Sequence, residues 1–531
     1  MRRFRLPRPL LATLLVLGAA GATPAADPAA HTYDVRAFGA TGDGRTLDTD
    51  AINRAILAAH AAGGGTVGFP AGTYLSASIH LQSNLTLSLA PGSTIEAVSD
   101  ALAKYDPAEP NEWDTKFHYQ DHGHSHWQDS LIWGIDLENV SIVGPGLIHG
   151  KGLNPGVHPH ADTAKGEKIY QDGGPGSGNK AIALKNCRNV TLRDFSILHG
   201  GWFGILATGV SNLTVDNLKI DTNRDGMDID CCRNVRIVNC SVNSPWDDGI
   251  CLKATYALGE LRACEAVTIS GCLLAGSFDE GTLLDGTFKV STDDYKSYHT
   301  GRIKLGTESD GDFKNIAIAN CVFDGSRGIA IESVDGAHIE DVAISNITMR
   351  HVSNSPIFIR LGNRARGPGP PPVGSIRRIS ISNLVASDAD GALGCIVSGI
   401  PGHPVEDIRL SNLRLGQQGG GATDLAERVP PEEENKYPEP GMFGPMPSFG
   451  LFLRHATGIE VTDTKIDCAK PDARPAFVLD DVRDAAFARV IVPHPKDASA
   501  FDLRGVSNFS VKDSRGLPDT QLATRVERQK L

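Results

Sequence analysis

The chain lacks a long apolar run beyond its N-terminal segment, so the remainder offers no predicted membrane helix. It also lacks an excess of positive charge, because 51 Lys and Arg residues stand against 63 Asp and Glu residues. The formal net charge of -12 argues against nucleic acid as a partner. None of the ten cysteines forms a Cys-x-x-Cys pair, which excludes the usual spacing of zinc sites.

The N-terminal segment, residues 1–26, has the three parts of a secretory signal peptide. Four arginines precede residue 9, an apolar stretch runs from Leu10 to Ala20, and Ala20-Gly21-Ala22 offers a small-residue cleavage site. The apolar stretch is too short to cross a bilayer. We therefore predict an exported protein, periplasmic or extracellular, with no membrane contact once the signal is removed.

A short motif with alternating apolar positions returns along most of the chain. Typical copies are NVTLRDFSI from Asn189, NLTVDNLKI from Asn212 and NVRIVNCSV from Asn234, at intervals of about 22 to 26 residues. This period, with roughly three short strands per turn, is typical of a parallel β-helix, whose stacked rungs bury a continuous apolar core. The leucine framework of a leucine-rich repeat is absent. The recurrent asparagines predict a side-chain ladder at the turns.

The repeat predicts one all-β domain, a single-stranded parallel β-helix with an N-terminal capping helix. Residues 31–105 are expected to form the cap and first rungs, and residues 106–520 the β-helix itself. In the cap, Tyr33 to Phe38 reads as a strand, and Asp48 to Ala62 reads as an amphipathic helix capped by Asp48 or Thr46. Long loops on a rigid scaffold usually carry function, and the third and fourth insertions are placed to wall a cleft. Five insertions interrupt the array: 105–133, 151–178, 255–300, 361–374 and 416–450.

Most of the ten cysteines stand at recurring strand positions. A ladder of small buried side chains gives such a pattern. We therefore predict mostly free buried thiols, with one or two disulfide bridges. The pattern is clearest at Asn186-Cys187, Asn239-Cys240, Gly271-Cys272 and Asn320-Cys321.

Three aspartates lie close together between Asn223 and Lys253. Asp225 stands in Asn-Arg-Asp-Gly, and Asp247 and Asp248 follow about one rung later in Trp-Asp-Asp-Gly, so we expect the carboxylates to share one face. Clustered carboxylates raise at least one pKa by repulsion. That supplies the protonated acid and the ionised base that glycoside hydrolysis needs. The alternative is a pair of ordinary Asp-Gly turns.

Two cations follow on a later strand. Arg302 and Lys304 are two residues apart, so they project from one strand face and could bind the carboxylate of a sugar acid. The alternative is a solvated strand face. Trp246, beside the acidic pair, could stack on a sugar ring or simply pack.

Four histidines in the first insertion have the spacing of a strand. Nothing nearby in sequence completes a metal site with them, so they are interpreted as contacts at the cleft rim or as a solvated loop. We predict no metal and no cofactor. The four are His118, His122, His124 and His126.

As an ordered set, these motifs resemble glycoside hydrolase family 28, the polygalacturonase family of right-handed, pectin-lyase-like β-helix enzymes. The family pattern runs Asn-Thr-Asp, Asp-Asp, Gly-His-Gly, Arg-Ile-Lys. No Gly-His-Gly stands between Asp248 and Arg302, and His299 lies in a different context. The resemblance extends to Tyr33–Ile95, to PIFIRLGNR from Pro356 and to YPEPGMFGPMPSFG from Tyr437. The matching motifs are Asn223-Arg224-Asp225, Asp247-Asp248 and Arg302-Ile303-Lys304.

The resemblance implies an inverting hydrolase of α-galacturonosyl bonds in pectin. It makes Asp247 the general acid, and Asp225 and Asp248 the pair that activates water. Asn223 would orient Asp225 or the substrate, while Arg302 and Lys304 would bind the galacturonate carboxylate.

The implied partner is a pectic polysaccharide or oligosaccharide, and a monomer is expected. The long loops favour exo action. Three alternatives stay open: a rhamnogalacturonan-acting hydrolase of the same family, pectate-lyase-type β-elimination, and an inactive β-helix that only binds carbohydrate.

Overall fold

The structure is a computed structural model, and it describes residues 32–113, 122–155, 174–276, 278–290, 299–493 and 499–531. The predicted signal peptide, residues 1–26, and His118 lie outside these residues. Within them, no helix is long and apolar enough to cross a membrane.

The chain winds into a right-handed parallel β-helix, as predicted. Each rung contributes up to three short strands, and strands of successive rungs pair in parallel. Three long sheets result, and the one that carries the functional residues is called the site sheet. Its strands are Ile79–His80, Ile132–Ile135, Lys180–Lys185, Phe203–Thr208, Asp225–Asp230, Ile250–Ala254, Ile303–Ser309, Ile329–Ser333, Ile357–Leu361, Cys395–Ser398 and the first parts of Leu451–Thr462, Phe477–Ala488 and Phe501–Lys512.

The other two sheets form the remaining two faces of the β-helix. Long strands near the C-terminal end bend at a corner and belong to two sheets at once. The second sheet contains Thr32–Asp34, Gly65–Phe69, Leu85–Leu89, Glu138–Val143, Arg188–Arg193, Ser211–Asp216, Arg233–Val238, Cys264–Ser270, Phe313–Ala319, the first parts of His338–Arg350, Ser375–Ala389 and Val405–Gly419, and the last parts of Leu451–Thr462, Phe477–Ala488 and Phe501–Lys512. The third sheet contains Asp43–Leu47, Gly72–Ser76, Ser93–Ala97, Leu147–His149, Ser196–Leu198, Lys219–Asp221, Ser241–Asn243, Leu273–Ala275, Val322–Asp324, the last parts of His338–Arg350, Ser375–Ala389 and Val405–Gly419, and Lys465–Lys470.

The remaining elements are short. Two strands pair antiparallel with Phe501–Lys512 and cover the C-terminal end of the helix. A two-stranded hairpin lies in the third insertion, and a short α-helix and a 3-10 helix lie in the fifth. They are Thr520–Leu522 and Val526–Lys530, the hairpin Phe278–Glu280 with Lys289–Val290, the helix Thr423–Ala426, and the 3-10 helices Pro440–Phe443 and His122–His124.

The N-terminal cap is a helix, as predicted, with boundaries Thr49–Ala61. Its buried stripe packs over the first rungs. Asp48 stands at the N-cap position, but its carboxylate accepts bonds from Thr41 N (2.7 Å) and Gly42 N (3.0 Å) rather than capping the helix. The stripe consists of Ala51, Ile52, Ala55, Ile56 and Ala59.

The predicted strand Tyr33–Phe38 is wrong in its second half. The strand ends at Asp34, and Val35–Phe38 form a 3-10 turn instead. Asp34 Oδ1 accepts a bond from Arg36 N at 2.8 Å, which favours the turn. Gly39 ends it with φ of 101°, a left-handed conformation that suits glycine.

An asparagine ladder joins the rungs at one corner, which confirms the expectation from the repeat. Asn139, Asn189, Asn212 and Asn234 each donate from Nδ2 to Oδ1 of the previous asparagine, at 2.8 to 3.2 Å. All have φ near +57°, a conformation that asparagine tolerates better than most residues.

All ten cysteines lie in described residues and all are free, nine of them buried. The one or two expected bridges are therefore absent from the structure. The buried, ladder-like placement itself is as predicted, and burial raises the pKa of the Cys187 thiol to about 11.

The site lies on the outward face of the site sheet. Inward side chains form the continuous apolar core. Outward ones form two separate apolar clusters, one with Trp127, Trp202 and Phe203, the other with Phe358 and neighbours. Charged residues occupy the stretch between the clusters, so the polar site is flanked on both sides by packed apolar surface.

Candidate functional site

The three aspartates come together because two adjacent rungs turn at the same place. Asp225 opens the strand Asp225–Asp230, while Asp247 and Asp248 lie in the turn before Ile250–Ala254. The Gly226 amide donates to the Asp248 carbonyl oxygen at 3.0 Å, which fixes the two rungs side by side. One carboxylate oxygen from each aspartate lies within 4.8 Å of the others.

Asp248 lies deepest of the three and is fully buried. Arg302 Nε donates to its Oδ1 at 2.6 Å, and Lys304 Nζ lies 2.5 Å from its Oδ2. Burial alone would raise the pKa of this carboxyl, but the charges of Arg302 and Lys304 outweigh it and hold the pKa well below its usual range. Asp248 is therefore a permanently charged carboxylate.

Asp225 has the opposite electrostatics. It is 4% exposed, and burial raises its pKa well above the usual range, helped by the charges of Asp247 and Asp228. Arg224 and Lys253 oppose this without reversing it. Asp225 therefore holds a proton far more readily than its neighbour Asp248.

Asp247 is the accessible member, with 28% of its side chain exposed. Arg224 Nη2 donates to its Oδ2 at 2.9 Å, and the same nitrogen lies 4.0 Å from Asp225 Oδ2. The Arg224 guanidinium also lies over the Trp202 ring, 5.1 Å from the centroid. The residue that replaces threonine in the family pattern thus stands within the aspartate cluster.

The two predicted substrate-binding cations are buried in the floor of the site. Arg302 is 2% exposed and Lys304 is 1% exposed. Arg302 Nη2 lies 2.5 Å from Glu439 Oε1, and Lys304 Nζ lies 3.4 Å from the Tyr437 hydroxyl. Both cations therefore contact Asp248 and also contact the fifth insertion.

A second group of charged residues adjoins the first on the site sheet. His124 Nε2 lies 2.8 Å from Asp228 Oδ2, and Lys253 Nζ contacts Glu308 at 2.8 Å and Asp228 at 4.0 Å. Arg364, from the fourth insertion, contacts Glu308 at 3.9 Å. His124 is thus a buried partner of the sheet, rather than the rim or solvated loop residue expected from the sequence.

The first, fourth and fifth insertions all contact this part of the site sheet. The third insertion contacts the adjoining rung, where Thr282 Oγ1 donates to Asp221 Oδ2 at 2.7 Å. These contacts place four insertions around the aspartates.

The other predicted site residues lie at the edge of the cluster. The backbone amide of Trp246 donates to the Asn223 carbonyl oxygen at 3.0 Å, so both residues flank the aspartates, and both are half-buried. His299 Nδ1 lies 3.2 Å from the Gly276 carbonyl oxygen. The backbone amide of its neighbour Thr300 donates to the Pro245 carbonyl oxygen at 3.1 Å, so the segment runs beside the turn without supplying the family's Gly-His-Gly.

The three carboxylates are close enough to hold a cation. Arg224, Arg302 and Lys304 already contact them, so their charge is neutralised within the protein.

Several residues of the site were not identified from the sequence. Glu439 and Lys253 are examples: the first lies 137 residues from Arg302, which it contacts, and the second ends the acidic stretch without belonging to a family motif. Arg224 was visible only as a departure from Asn-Thr-Asp. The available signal was an arginine directly between two predicted site residues, Asn223 and Asp225.

Comparisons with known proteins find proteins similar to this chain. Residues 32–251 match the family described as rhamnogalacturonase A/epimerase, pectate lyase-like. A probable polygalacturonase from Vitis vinifera is 23% identical over 414 residues, which cover 73% of this chain and 74% of that protein. An exo-poly-alpha-D-galacturonosidase from Dickeya chrysanthemi is 25% identical over 258 residues, which cover 41% of this chain and 41% of that protein.

A solved structure shows the same fold. The hyperthermoactive exopolygalacturonase from Thermotoga maritima aligns with a TM-score of 0.54 at 18% identity, covering 93% of this chain and 95% of that chain. The family model thus matches the N-terminal part of the chain, the relatives named as polygalacturonases are similar in sequence, and the solved structure shares the right-handed β-helix fold.

Proposed function

We propose that this protein is an exported glycoside hydrolase that cleaves α-galacturonosyl bonds in pectin from the chain end, with inversion at the anomeric carbon. The observation that carries the proposal is the group of three carboxylates, close together but in three different environments. When the environments of neighbouring carboxyl groups give them different pKa values, one group can act as an acid and another as a base in the same site. The relatives named as polygalacturonases support the substrate class.

Asp225 and Asp248 are the proposed pair that holds the attacking water. A carboxylate with a raised pKa is the stronger base, so Asp225 takes the proton from water as the new bond forms. Asp248 stays charged between its two cations and supplies a fixed negative charge beside the developing oxocarbenium ion.

Asp247 is the proposed general acid. It is the most exposed of the three, so it can reach the glycosidic oxygen of a bound chain. Proton transfer from a positioned side chain typically contributes ~10²- to 10⁴-fold to rate. The departing sugar then leaves as a neutral alcohol.

Exo action is supported by the insertions on the C-terminal side of the aspartates. Tyr437 and Glu439 of the fifth insertion reach Lys304 and Arg302, and Arg364 of the fourth lies 5.9 Å from the Tyr437 ring centroid. A groove bounded in this way on one side favours binding of a chain end over an internal segment.

A rhamnogalacturonan-acting hydrolase is the second candidate. The Gly-His-Gly motif is missing from the sequence, and the matching family is described by the name of rhamnogalacturonase A. The same three carboxylates would serve that reaction, so the substrate and not the chemistry distinguishes the two candidates.

Product analysis on polygalacturonate and rhamnogalacturonan, side by side, tests these proposals. We expect monogalacturonate from the first minutes on polygalacturonate, with new reducing ends and no ultraviolet-absorbing unsaturated product. Proton NMR of the first product should show the β-anomer. Asp247→Asn, at matched concentration, should remove turnover and is the control for contaminating activity.

Other outcomes have definite meanings. Release from rhamnogalacturonan alone would select the second candidate, and unsaturated uronides would establish a lyase. An initial α-anomer would contradict inversion. Oligogalacturonide binding without any product would reduce the protein to a carbohydrate-binding β-helix.

A further inference from the structure

Arg224 is the most exposed of the three cations that contact the aspartates. Its side chain is 15% exposed, whereas those of Arg302 and Lys304 are 3% and 2% exposed. It sits at the open end of the cluster, bonded to Asp247, the most accessible aspartate. An incoming ligand therefore reaches Arg224 before it reaches the two deeper cations.

The two deeper cations, Arg302 and Lys304, already form ion pairs within the protein. Lys304 pairs with Asp248, and Arg302 pairs with both Asp248 and Glu439. Withdrawing either cation from Asp248 would remove one of the two positive charges that pair with this buried carboxylate, which is costly. Binding a substrate carboxylate with these cations alone would therefore work against the pairs that hold the site together.

Arg224 can exchange Asp247 for a ligand carboxylate more readily than the two deeper cations can exchange Asp248. Both side chains are partly exposed, so water can solvate whichever group is released. The guanidinium is also held over the Trp202 ring, 5.1 Å from its centroid, which fixes its plane independently of Asp247. A carboxylate entering the groove would meet an oriented guanidinium.

Release of Asp247 would have a chemical consequence. While Asp247 Oδ2 accepts the bond from Arg224, that oxygen is occupied and cannot donate to a glycosidic oxygen. Once a ligand carboxylate takes the guanidinium, Asp247 can acquire a proton from solvent and pass it to the glycosidic oxygen. One proton then moves from water to Asp247 and from Asp247 to the leaving group.

We propose that Arg224 is a specificity-determining residue that binds the carboxylate of a uronic acid unit at the cleavage point, and that this exchange frees Asp247 to act as the general acid. The inference rests on the proposed function for its second half. Its first half, competition between a uronate and Asp247 for Arg224, concerns binding alone. The two halves are therefore tested separately.

Binding is measured by calorimetry with galacturonate, and with galactose as the neutral counterpart. We expect Asp247→Asn to bind galacturonate several-fold more tightly than the wild type, because Arg224 loses the carboxylate to which it donates at 2.9 Å. Arg224→Gln should weaken galacturonate binding at least tenfold. In the double variant, Asp247→Asn should bring no gain over Arg224→Gln, and galactose binding should be the same in all four proteins.

Catalysis is measured on oligogalacturonides and on their methyl esters. The wild type should strongly prefer the acid form, with the difference expressed in kcat as well as KM. Arg224→Gln should lose most of that preference, and Arg224→Lys should keep part of it. Arg236→Gln, an exposed arginine on the second sheet, is the matched control and should behave as the wild type.

Definite results would overturn the inference. If Asp247→Asn leaves galacturonate affinity unchanged, there is no competition for Arg224. If Arg224→Gln folds and keeps the full acid preference, Arg224 is a structural residue; should it not fold, Arg224→Thr, with the family residue, serves the same comparison. Failure of the proposed function is distinct, because the binding pattern would then persist without hydrolysis of any pectic substrate.

Discussion

Lys304 Nζ lies 2.5 Å from Asp248 Oδ2, and both side chains are enclosed by the protein. A residue that the family pattern assigns to the substrate thus also sets the charge of a proposed catalytic carboxylate. The ion pair links substrate recognition to the protonation of the site.

The variant Lys304→Gln should therefore change both stability and pH dependence. Removing one partner of a buried ion pair costs about 3–5 kcal/mol. The pKa of Asp248 is depressed in the folded protein, so its pairing stabilises above the unfolded-state value of about 4 and the benefit is lost as pH falls further. Denaturant unfolding should show the loss at pH 7 and a smaller loss in strong acid.

The control for this variant is Lys314→Gln, which breaks an exposed pair with Asp312 at 2.8 Å. Exposed pairs contribute about 0–1 kcal/mol. An equal loss of stability in the two variants would show that the burial of the Asp248 pair has no energetic effect.

Leaving-group dependence should separate the roles of Asp247 and Asp225. Asp247→Asn should lose ~10²- to 10⁴-fold in kcat on oligogalacturonides, the usual contribution of a general acid. It should lose much less on an aryl α-galacturonide, because a phenolate leaves without protonation. Asp225→Asn should lose activity on both substrates.

Steady-state rates on the two substrates measure this difference. The reverse pattern, in which the aryl substrate rescues Asp225→Asn, would make Asp225 the acid. Its raised pKa is compatible with that role, so the experiment decides between two physically reasonable assignments.

Asp228→Asn should lower the pKa of Asp225. The negative charge of Asp228 is one of the causes that raise it, and the asparagine removes that charge while keeping a similar shape. Because Asp225 must be ionised to act as a base, the ascending limb of the pH profile should move to lower pH. The pH dependence of kcat/KM measures the shift, with the exposed Asp424→Asn as a control that should not move it.

Asp310→Asn should make the protein more stable at high pH. The Asp310 carboxyl is 7% exposed and neither oxygen has a hydrogen-bond partner among the described residues. Burial raises its pKa to about 9, with help from Asp335 and Glu308. Since the folded state holds this proton and the unfolded state releases it near pH 4, wild-type stability is lost as pH rises toward 9.

The asparagine is neutral throughout, so the Tm advantage of Asp310→Asn should grow from pH 5 to pH 9. Asp312→Asn, two residues away and paired with Lys314, provides the comparison. A constant difference between Asp310→Asn and the wild type at every pH would show that Asp310 is ionised in the folded protein.

The fold followed from the sequence because its signal is repeated. Each copy of the motif around Asn189, Asn212 and Asn234 carries the same alternation, so an error in one rung is corrected by the others. The cap shows the limit: Tyr33–Phe38 occurs once, and the local bond from Arg36 N to Asp34 decided its conformation.

The sequence predicted the candidate site residues that lie on the rungs of the β-helix. It did not predict the contacts that the insertions make with them. The three aspartates and the Arg302–Lys304 pair stand on rungs whose spacing the repeat defines. Glu439 reaches Arg302 across 137 residues, and nothing in either local sequence specifies that contact. Burial of Arg302 and Lys304 likewise depends on the path of the fifth insertion.

The asparagine ladder has one more consequence. Partners Asn84 and Asn139 are 55 residues apart in the chain, whereas Asn212 and Asn234 are 22 apart, yet both pairs bond at 2.8 to 3.2 Å. Rung geometry is thus independent of how much chain leaves and returns between rungs. Loops that do not contact the aspartates or their cations could therefore be exchanged between relatives without disturbing the rungs, so that new substrate preferences could arise by loop transfer.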